Sequence, residues 1–372
     1  MEEREAYIAL NIMEGIGPVG VRTLVARLGS ARAIFSAAPD ALQADGVSAG
    51  AVKAVLSRRD AVDWRAEEEE AARAGIRIVT QVDDEYPDIL RKIHDPPLAL
   101  YVRGRIESRD RNAVAVVGTR RPTRYGRDCA SFFARGLAEA GFTVVSGLAE
   151  GIDASAHEAA LAAGGRTIAV IGSGMMRLYP PNHAALAERI AGRGAVLSEF
   201  PLRREPDRTT FPIRNRIVSG LSLGTLVIEA DMKSGALITA RMAMEQGRQV
   251  FAVPGRIDSP MSRGANDLIR QGAKLVSDID DIISEFEFLA PGLGLGPGRR
   301  ADAAPDVSED ERKLLDLLED GEMDVDRLTR ASGLKAGVVG ALLIGLEMKK
   351  LVRMLPGRVV EKVRSLSANG AQ

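Results

Sequence analysis

The fold is most clearly indicated by one stretch, Phe211-Pro-Ile-Arg-Asn-Arg-Ile-Val-Ser-Gly-Leu-Ser-Leu-Gly-Thr-Leu-Val-Ile-Glu-Ala-Asp-Met-Lys-Ser-Gly-Ala-Leu-Ile-Thr-Ala240. It places a basic, amide-bearing segment (214–216) before an apolar strand pattern at 225–228. A Lys-Ser-Gly turn (233–235) and an apolar helical pattern follow. Such a turn presents free backbone N–H groups and the positive end of a helix dipole to an anion. With a lysine and two arginines beside it, the stretch predicts a phosphate-binding strand–helix unit.

The same alternation of strands and helices extends from Gly75 to about Ile283. The strand patterns are 76–79, 98–102, 113–117, 142–145, 167–171, 195–197, 225–228, 249–253 and 274–276, and the helical patterns include 125–140, 153–163, 183–192 and 235–247. Apolar strands separated by helices are typical of a mostly parallel sheet covered on both faces, with right-handed crossovers. The sequence therefore predicts an α/β fold with an extended Rossmann-like, doubly wound sheet at 75–287.

A small helical domain is predicted before the sheet, at 1–70, because apolar positions recur there at helical spacing. Gly15-Ile16-Gly17-Pro18 lies between two helical patterns and resembles the turn of a helix-hairpin-helix, in a domain of the SAM/helix-hairpin-helix type. A second, weaker match to this turn pattern occurs at 45–50, before another helical pattern. Two interpretations stay open: the turn amides meet a nucleic-acid phosphate, or the glycines only allow close helix packing.

After the sheet, the density of Gly and Pro predicts a flexible linker at 288–306. Three helical patterns and two strand patterns around Pro356-Gly357 then predict a winged-helix domain at 307–366. Its third helical pattern is almost uncharged from Val338 to Leu346. Protein contact or a vestigial role is therefore at least as good an interpretation of this helix as base recognition.

Composition restricts the classes of function. The chain has 372 residues and a formal net charge of −1, so any nucleic-acid site must be a local basic patch. The single cysteine, Cys129, excludes an intrachain disulfide, and with only three histidines a zinc site is not expected. We find no signal peptide and no apolar run long enough for a membrane helix. These features predict a soluble cytoplasmic protein without a metal or cofactor.

The turn after the strand at 113–117 reads Gly118-Thr-Arg-Arg-Pro-Thr-Arg-Tyr-Gly126. A dinucleotide enzyme would place Gly-x-Gly-x-x-Gly here. Only the first glycine is present, and Arg120 replaces the small residue that permits close approach of a pyrophosphate. The turn therefore disfavours NAD or FAD and favours an open, strongly anionic ligand.

Similar turns, rich in glycine, hydroxyl, amide or basic groups, follow the strands that end near 146, 172, 230 and 254. Because ligands of open α/β sheets bind at the carboxyl edge, these turns predict a wide groove for phosphates, where Phe211 and Tyr125 stack on bases. The candidate binding residues are Gly118, Thr119, Arg120, Arg121, Ser146, Gly147, Gly172, Phe211, Arg214, Asn215, Arg216, Lys233, Ser234, Gly235 and Asn266.

Several acidic residues and one histidine are candidate catalytic groups. We expect Asp153 to cap its helix and His157, one turn later, to pack in the core. Glu199 and Glu229 each follow a strand and form a conceivable acid–base pair, but no nucleophile signature lies near them. We therefore predict binding without catalysis.

Six motifs resemble the DprA/Smf DNA-processing family over roughly residues 75–285. They are Gly118-Thr-Arg with Tyr125-Gly126, Ser146-Gly-Leu-Ala-x-Gly-Ile-Asp, Phe211-Pro-x-Arg-Asn-Arg-Ile, Ser234-Gly-x-Leu-Ile-Thr-Ala, Val250-Phe-Ala-Val-Pro-Gly and Asn266-x-Leu-Ile-x-x-Gly-Ala. The resemblance implies a non-catalytic protein that binds single-stranded DNA and forms a homodimer through its Rossmann-like domain. It also implies protection of incoming strands and loading of the RecA recombinase during natural transformation.

The family pocket carries over onto Thr119, Arg120, Ser146, Gly147, Arg214, Asn215 and Lys233 to Gly235. The resemblance also makes Leu268, Ile269 and Leu275 candidates for dimer and RecA contacts. One departure is Met175-Met176, because the family commonly has Leu-Asp before Tyr-Pro.

Two rival functions stay open at this point. The core also resembles nucleoside-monophosphate phosphoribohydrolases of the lysine-decarboxylase-like fold, although their Pro-Gly-Gly turn is replaced by Ser219-Gly-Leu-Ser-Leu-Gly-Thr225. The other rival is a winged-helix transcription regulator with a ligand-sensing core.

Overall fold

A computed structural model describes residues 1–286, 307–319, 321–349, 351–355 and 357–362. The chain divides into two compact units at Gly294–Leu295. The predicted linker at 288–306 lies outside the described residues. The domain boundaries proposed from the sequence stay predictions.

The N-terminal region is helical, as the apolar spacing predicts. Its helices are α1 Glu3–Ile12, α2 Pro18–Leu28, α3 Ala31–Ser36, α4 Pro39–Leu42, α5 Ala49–Arg58 and α6 Trp64–Arg73. Gly15, between α1 and α2, has a φ of +102°, and a Cβ there would lie 2.8 Å from the Cβ of Ala54. The glycine therefore lets the turn bend sharply and lets α5 pack closely against it.

A nine-stranded sheet forms the centre of the first unit. Its strands are β1 Arg77–Thr80, β2 Ala99–Gly104, β3 Ala113–Val117, β4 Thr143–Ser146, β5 Thr167–Val170, β6 Ala195–Ser198, β7 Gly224–Val227, β8 Gln249–Ala252 and β9 Lys274–Leu275. The spatial order is β1-β2-β6-β5-β4-β3-β7-β8-β9. The pairs β1–β2 and β2–β6 are antiparallel, and the other neighbours are parallel. The mostly parallel, Rossmann-like sheet is therefore confirmed.

Helices accompany this sheet along the chain. They are α7 Asp88–Arg91, α8 Arg124–Glu139, α9 Ile152–Ala162, α10 Ala184–Arg193, α11 Thr210–Gly220, α12 Gly235–Glu245, α13 Arg263–Arg270 and α14 Asp280–Ile283. The central strand β3 reads Ala-Val-Ala-Val-Val and is buried along its whole length. Two core clusters contain alternate residues of this sheet: Val145, Ile168 and Leu197 belong to one, whereas Ala169 and Val196 belong to the other. The apolar strand patterns reflect this burial on both faces.

The strand order reverses beside β3. From β3 the chain moves outward through β4 and β5 to β6, and it then returns to place β7 on the other side of β3. The carboxyl ends of β4, β3 and β7 are therefore adjacent. In open α/β sheets, such a reversal is where a ligand crevice forms.

The second unit has a winged-helix arrangement. It contains β10 Met323–Asp324, β11 Val352–Leu355, β12 Val359–Lys362, α15 Glu309–Leu317, α16 Val325–Ser332 and α17 Ala336–Met348. The three strands pair in the order β10-β12-β11. On α17, Val338 is 42% exposed and Ile344 is 63% exposed, so the accessible side of this helix carries apolar side chains.

No single helix among the described residues is long and apolar enough to cross a membrane, and α16 with α17 reaches the required length and composition only across a 111° bend.

Candidate nucleic-acid interface

A cleft of about 560 Å³ opens at the reversal point of the sheet. Residues after β3, β4 and β7 contribute to it, together with α11 and the start of α12. The lining residues are Val117, Gly118, Thr119, Arg120, Gly147, Ala149, Asp153, Tyr179, Arg208, Phe211, Pro212, Arg214, Asn215, Val218, Asp231, Lys233, Ser234, Gly235, Ala236, Ile238 and Thr239. The cleft therefore combines three of the five strand ends that the sequence singled out.

The turn after β3 is fixed by backbone hydrogen bonds. The N–H of Thr119 donates to the carbonyl of Glu229 at 2.7 Å, and the carbonyl of Thr119 accepts from the N–H of Ile152 at 3.2 Å. Gly151, with a φ of +84°, passes so close that a Cβ there would lie 2.5 Å from the Thr119 carbonyl oxygen. These contacts hold Arg120 at the mouth of the cleft, where its guanidinium lies 5.2 Å from the ring centroid of Phe211.

Arg214 is buried and holds neighbouring backbone in place, instead of presenting its charge at the surface. Its Nη1 donates to the carbonyl of Gly147 at 2.5 Å and to the carbonyl of Val170. These bonds connect α11 to the ends of β4 and β5. Burial lowers the pKa of the guanidinium to about 10, and the nearby carboxylate of Asp153 opposes this shift. Arg214 therefore contributes fixed positive charge to the floor of the cleft.

Asp153 organises the turn after β4, and its predicted role as a helix cap is wrong. The helix α9 begins at Ile152 with Gly151 as its N-cap, so Asp153 lies inside the first turn. Its Oδ2 accepts from the N–H groups of Gly147 at 3.1 Å and Ala149 at 3.4 Å. Burial raises the pKa of Asp153, and Arg214 is the strongest opposing influence. This carboxylate is therefore engaged in holding the backbone.

The Lys-Ser-Gly turn starts α12 as the sequence predicts. The Oγ of Ser234 caps the helix by accepting from the N–H of Ala236 at 3.3 Å, and Asp231 accepts from the N–H of Lys233 at 2.7 Å. The Nδ2 of Asn215 donates to the carbonyl of Gly235 at 3.4 Å, which connects α11 to the turn. Lys233 is exposed and forms no ion pair with any described residue. Its ammonium and the positive end of α12 are available to an anion.

Phe211 lies in the cleft as predicted, but two other lining residues were missed. The ring of Tyr179 lies 5.7 Å from that of Phe211, and exposed Arg208 also lines the cleft. Tyr179 follows β5 in the Tyr-Pro step, and Arg208 lies in the five-arginine segment 203–216. Both signals were visible in the sequence, yet only the fold brings both residues into the cleft that contains Phe211.

Five predicted binding residues lie outside the cleft. Arg216 is buried on α11 and pairs with Glu199 at 2.5 Å, because helical geometry turns it away from Arg214. Ser146 is fully buried and donates to the Val116 carbonyl at 2.6 Å. Gly172 is covered, since a Cβ there would lie 2.7 Å from the Phe211 ring.

The other two predicted residues outside the cleft are Asn266 and Arg121. Asn266 bonds the backbone of Gly255 through both ends of its amide, at 3.1 and 3.0 Å. Arg121 is exposed beyond the cleft lining. The cleft thus lies at three of the five strand ends that the sequence singled out, and the continuous groove over all five stays a prediction.

The acid–base candidates are occupied in structural bonds. Glu199 pairs with Arg216, and buried Glu229 accepts from the N–H and Oγ1 of Thr123 at 2.9 and 2.6 Å. Neither lines the cleft. His157 is buried against the Oγ1 of Thr167 at 2.6 Å, and burial lowers its pKa to about 3. Within the described residues, no three His, Cys, Asp or Glu side chains gather into a metal site.

A second cavity, of about 650 Å³, lies at the opposite edge of the sheet. It includes Arg166, which is already bonded to Asp110 at 2.6 Å and to the carbonyl of Arg193 at 2.9 Å. The carboxyl-terminal ends of α8, α9 and α10 adjoin this cavity, and these ends carry partial negative charge. The carboxyl-edge cleft is therefore the better phosphate site.

The three candidate interface residues differ in exposure. Leu268 is on the buried side of α13, Ile269 on the same helix is half-buried, and Leu275 is 46% exposed on the edge strand β9. Met175 packs in the core, whereas Met176 is exposed and does not line the cleft. The departure at these methionines therefore leaves the cleft lining unchanged.

Fold and site together define a Rossmann-like protein with an anion-binding cleft at the reversal point of its sheet. The family model described as DNA recombination-mediator protein A matches residues 77–287, and that of the DprA winged helix domain matches 298–358. The chain belongs to the DprA/Smf family of DNA-processing proteins.

Relatives support this membership over most of the chain. Protein Smf of Synechocystis is 33% identical over 95% of this chain and 98% of its own length. The DNA processing protein DprA of Streptococcus pneumoniae is 45% identical over 56% of this chain and 73% of its own.

Two solved structures are also similar. The X-ray structure of the Streptococcus pneumoniae DprA has a TM-score of 0.68 at 34% identity, covering 77% of this chain and 98% of that one. The Helicobacter pylori DprA, solved to describe its single-stranded DNA binding mode, has a TM-score of 0.51 at 32% identity, covering 57% of this chain and 96% of that one.

Proposed function

We propose that this protein binds single-stranded DNA in the cleft at the ends of β3, β4 and β7. The observation that carries the proposal is the combination of free cations with an aromatic pair, half-buried Phe211 and exposed Tyr179. The cleft is lined by the cations of Arg120, Arg208 and Lys233. The rings of Phe211 and Tyr179 line the same cleft. Proteins that bind single strands combine basic grooves with aromatic platforms for stacked bases. The relation to the Helicobacter pylori protein supports the same ligand.

The proposed function is binding without catalysis. The cleft carboxylates are engaged, since Asp153 accepts two backbone N–H groups and Asp231 accepts that of Lys233. Glu229, the residue that the phosphoribohydrolase alternative requires, is buried outside the cleft. Incubation with AMP is expected to release no ribose 5-phosphate. Release that is lost in a Glu229→Gln variant would establish the rival function.

Lys233→Ala tests the proposed site. We expect weaker binding to single strands of any sequence, with the slope of log K against log salt reduced by about 0.7, because one phosphate contact is lost. Arg135→Ala is the matched control, since Arg135 is an exposed cation on α8 outside the cleft. Equal behaviour of the two variants in a fluorescence-anisotropy titration would place the DNA elsewhere.

We also propose that the protein forms a homodimer and loads RecA onto the bound strand in natural transformation or homologous recombination. The short edge strand β9 leaves Leu275 exposed, and an exposed sheet edge favours pairing with another chain. We assign DNA binding and dimerisation to residues 75–287, between a helical domain at 1–70 and a winged helix at 307–366. Leu275→Glu is expected to reduce the mass measured by light scattering to that of a monomer, and an unchanged dimer mass would exclude this edge.

A further inference from the structure

Outside the cleft, further basic and apolar side chains occur in the turn after β3, at the start of α8 and in the segment that follows β8. We call Arg121, Tyr125, Ile257 and Arg263 the β8 rim, and none of them lines the cleft. The Oη of Tyr125 donates to the carbonyl of Pro254 at 2.7 Å, which connects α8 to the loop after β8.

The rim is attached to the same strand end as the cleft. The N–H of Thr123 donates to Oε2 of Glu229 at 2.9 Å, and the N–H of Gly264 donates to the carbonyl of Ala230 at 2.8 Å. Arg121 and Arg263 each lie within two residues of these anchors. Because β3, β7 and β8 are neighbours, spaced by about 4.8 Å, the end of β8 lies about 10 Å along the sheet edge from the end of β3. A DNA strand that leaves the cleft across the end of β7 therefore reaches the β8 rim.

The rim has the chemistry that a single strand requires. Within the described part of the chain, the side chains of Arg121 and Arg263 make no ion pair or hydrogen bond, so both charges are free. Tyr125 is 47% exposed and Ile257 is 93% exposed, which leaves a ring and an aliphatic side chain open to stacked bases. Unpaired cations beside apolar faces fit a sugar–phosphate backbone with stacked bases.

We propose that the β8 rim is a second subsite, which binds the nucleotides that flank those in the cleft. Arg121 and Arg263 contact phosphates, and Tyr125 stacks on a base. This inference rests on the proposed function, because it extends the path of the same strand. Short oligonucleotides then occupy the cleft alone, and longer ones occupy both the cleft and the β8 rim.

The test compares two oligonucleotide lengths, of about 4 and about 16 nucleotides. The variants are Arg121→Ala/Arg263→Ala and Tyr125→Leu, with Tyr125→Phe as the matched control that keeps the ring but loses the bond to Pro254. We expect the double variant to bind the long oligonucleotide about tenfold more weakly, with a salt slope reduced by about 1.4, and to bind the short one like wild type. Tyr125→Leu should also lose affinity only for the long one, and Tyr125→Phe should retain it.

Each alternative result overturns this inference in a distinct way. If both lengths bind the variants like wild type, the rim does not contact DNA. If both lengths lose affinity equally, the rim residues act through the cleft instead of forming a subsite. If Lys233→Ala binds each of the two oligonucleotides with the same affinity as wild type, the proposed function itself fails, and the subsite fails with it.

Discussion

Replacing Arg214 separates a structural role from a direct DNA contact at the floor of the cleft. In Arg214→Ala, the carbonyls of Gly147 and Val170 lose their donor, and the carboxylate of Asp153 loses its neighbouring cation. A buried polar group left without a partner costs about 1–3 kcal/mol, and breaking a buried ionic arrangement costs about 3–5 kcal/mol. We therefore expect the free energy of unfolding to fall by about 3–5 kcal/mol.

The measurement is urea unfolding of the full chain followed by fluorescence of its single tryptophan, Trp64. This residue is buried in the same core cluster as Leu148, which belongs to the turn that Arg214 holds. Arg214→Lys keeps the charge but has a single ammonium, so a smaller loss of about 1–2 kcal/mol is expected. The control Arg135→Ala should stay within about 0.5 kcal/mol of wild type.

One result would refute this structural role of Arg214. If Arg214→Ala is as stable as wild type but binds DNA as weakly as Lys233→Ala, the guanidinium contacts the ligand instead of the turn. A variant that is destabilised as expected, yet binds DNA measurably under conditions where it is folded, would support the assignment.

Three further outcomes are expected. Arg120→Ala should weaken single-strand binding in all sequence contexts and reduce the salt slope by about 0.7, and an unchanged slope would remove Arg120 from the phosphate path. Deleting residues 300–372 should leave most of the single-strand affinity intact in a gel shift, whereas a collapse of binding would move the site to the winged helix. Because burial lowers the pKa of His157 to about 3, the unfolded chain binds more protons than the native one below the usual value of about 6.5. Stability should therefore fall as the pH decreases, by about 2 kcal/mol at pH 5 from this group, and a His157→Gln variant with the same pH dependence in urea unfolding would contradict this.

The fold was predictable because its signals are local. Strands such as β3 are buried on both faces and therefore appear as unbroken apolar runs. The turn at Ser234 was equally readable, since a hydroxyl cap and a following apolar helix occur together in the sequence. The same holds for the winged helix, where Ser308 and Glu311 form a capping box at the start of α15.

The site was less predictable because it depends on which face of an element each side chain occupies. Arg214 and Arg216 are two residues apart on α11, so one lies at the cleft and the other pairs with Glu199. The proximity of Glu199 to Arg216 could not be predicted, because the pairing depends on the order of the strands in the sheet. Likewise, Asp153 was expected to cap its own helix, but the turn before α9 curls back so that its N–H groups meet the carboxylate.

The most direct test of the account compares single-stranded and double-stranded oligonucleotides of one sequence in a gel shift at two salt concentrations. We expect tighter binding of the single strand, with affinity for it falling as salt rises, because phosphates contact free cations in the cleft. Equal or tighter binding of the duplex, or single-strand binding that does not respond to salt, would contradict it.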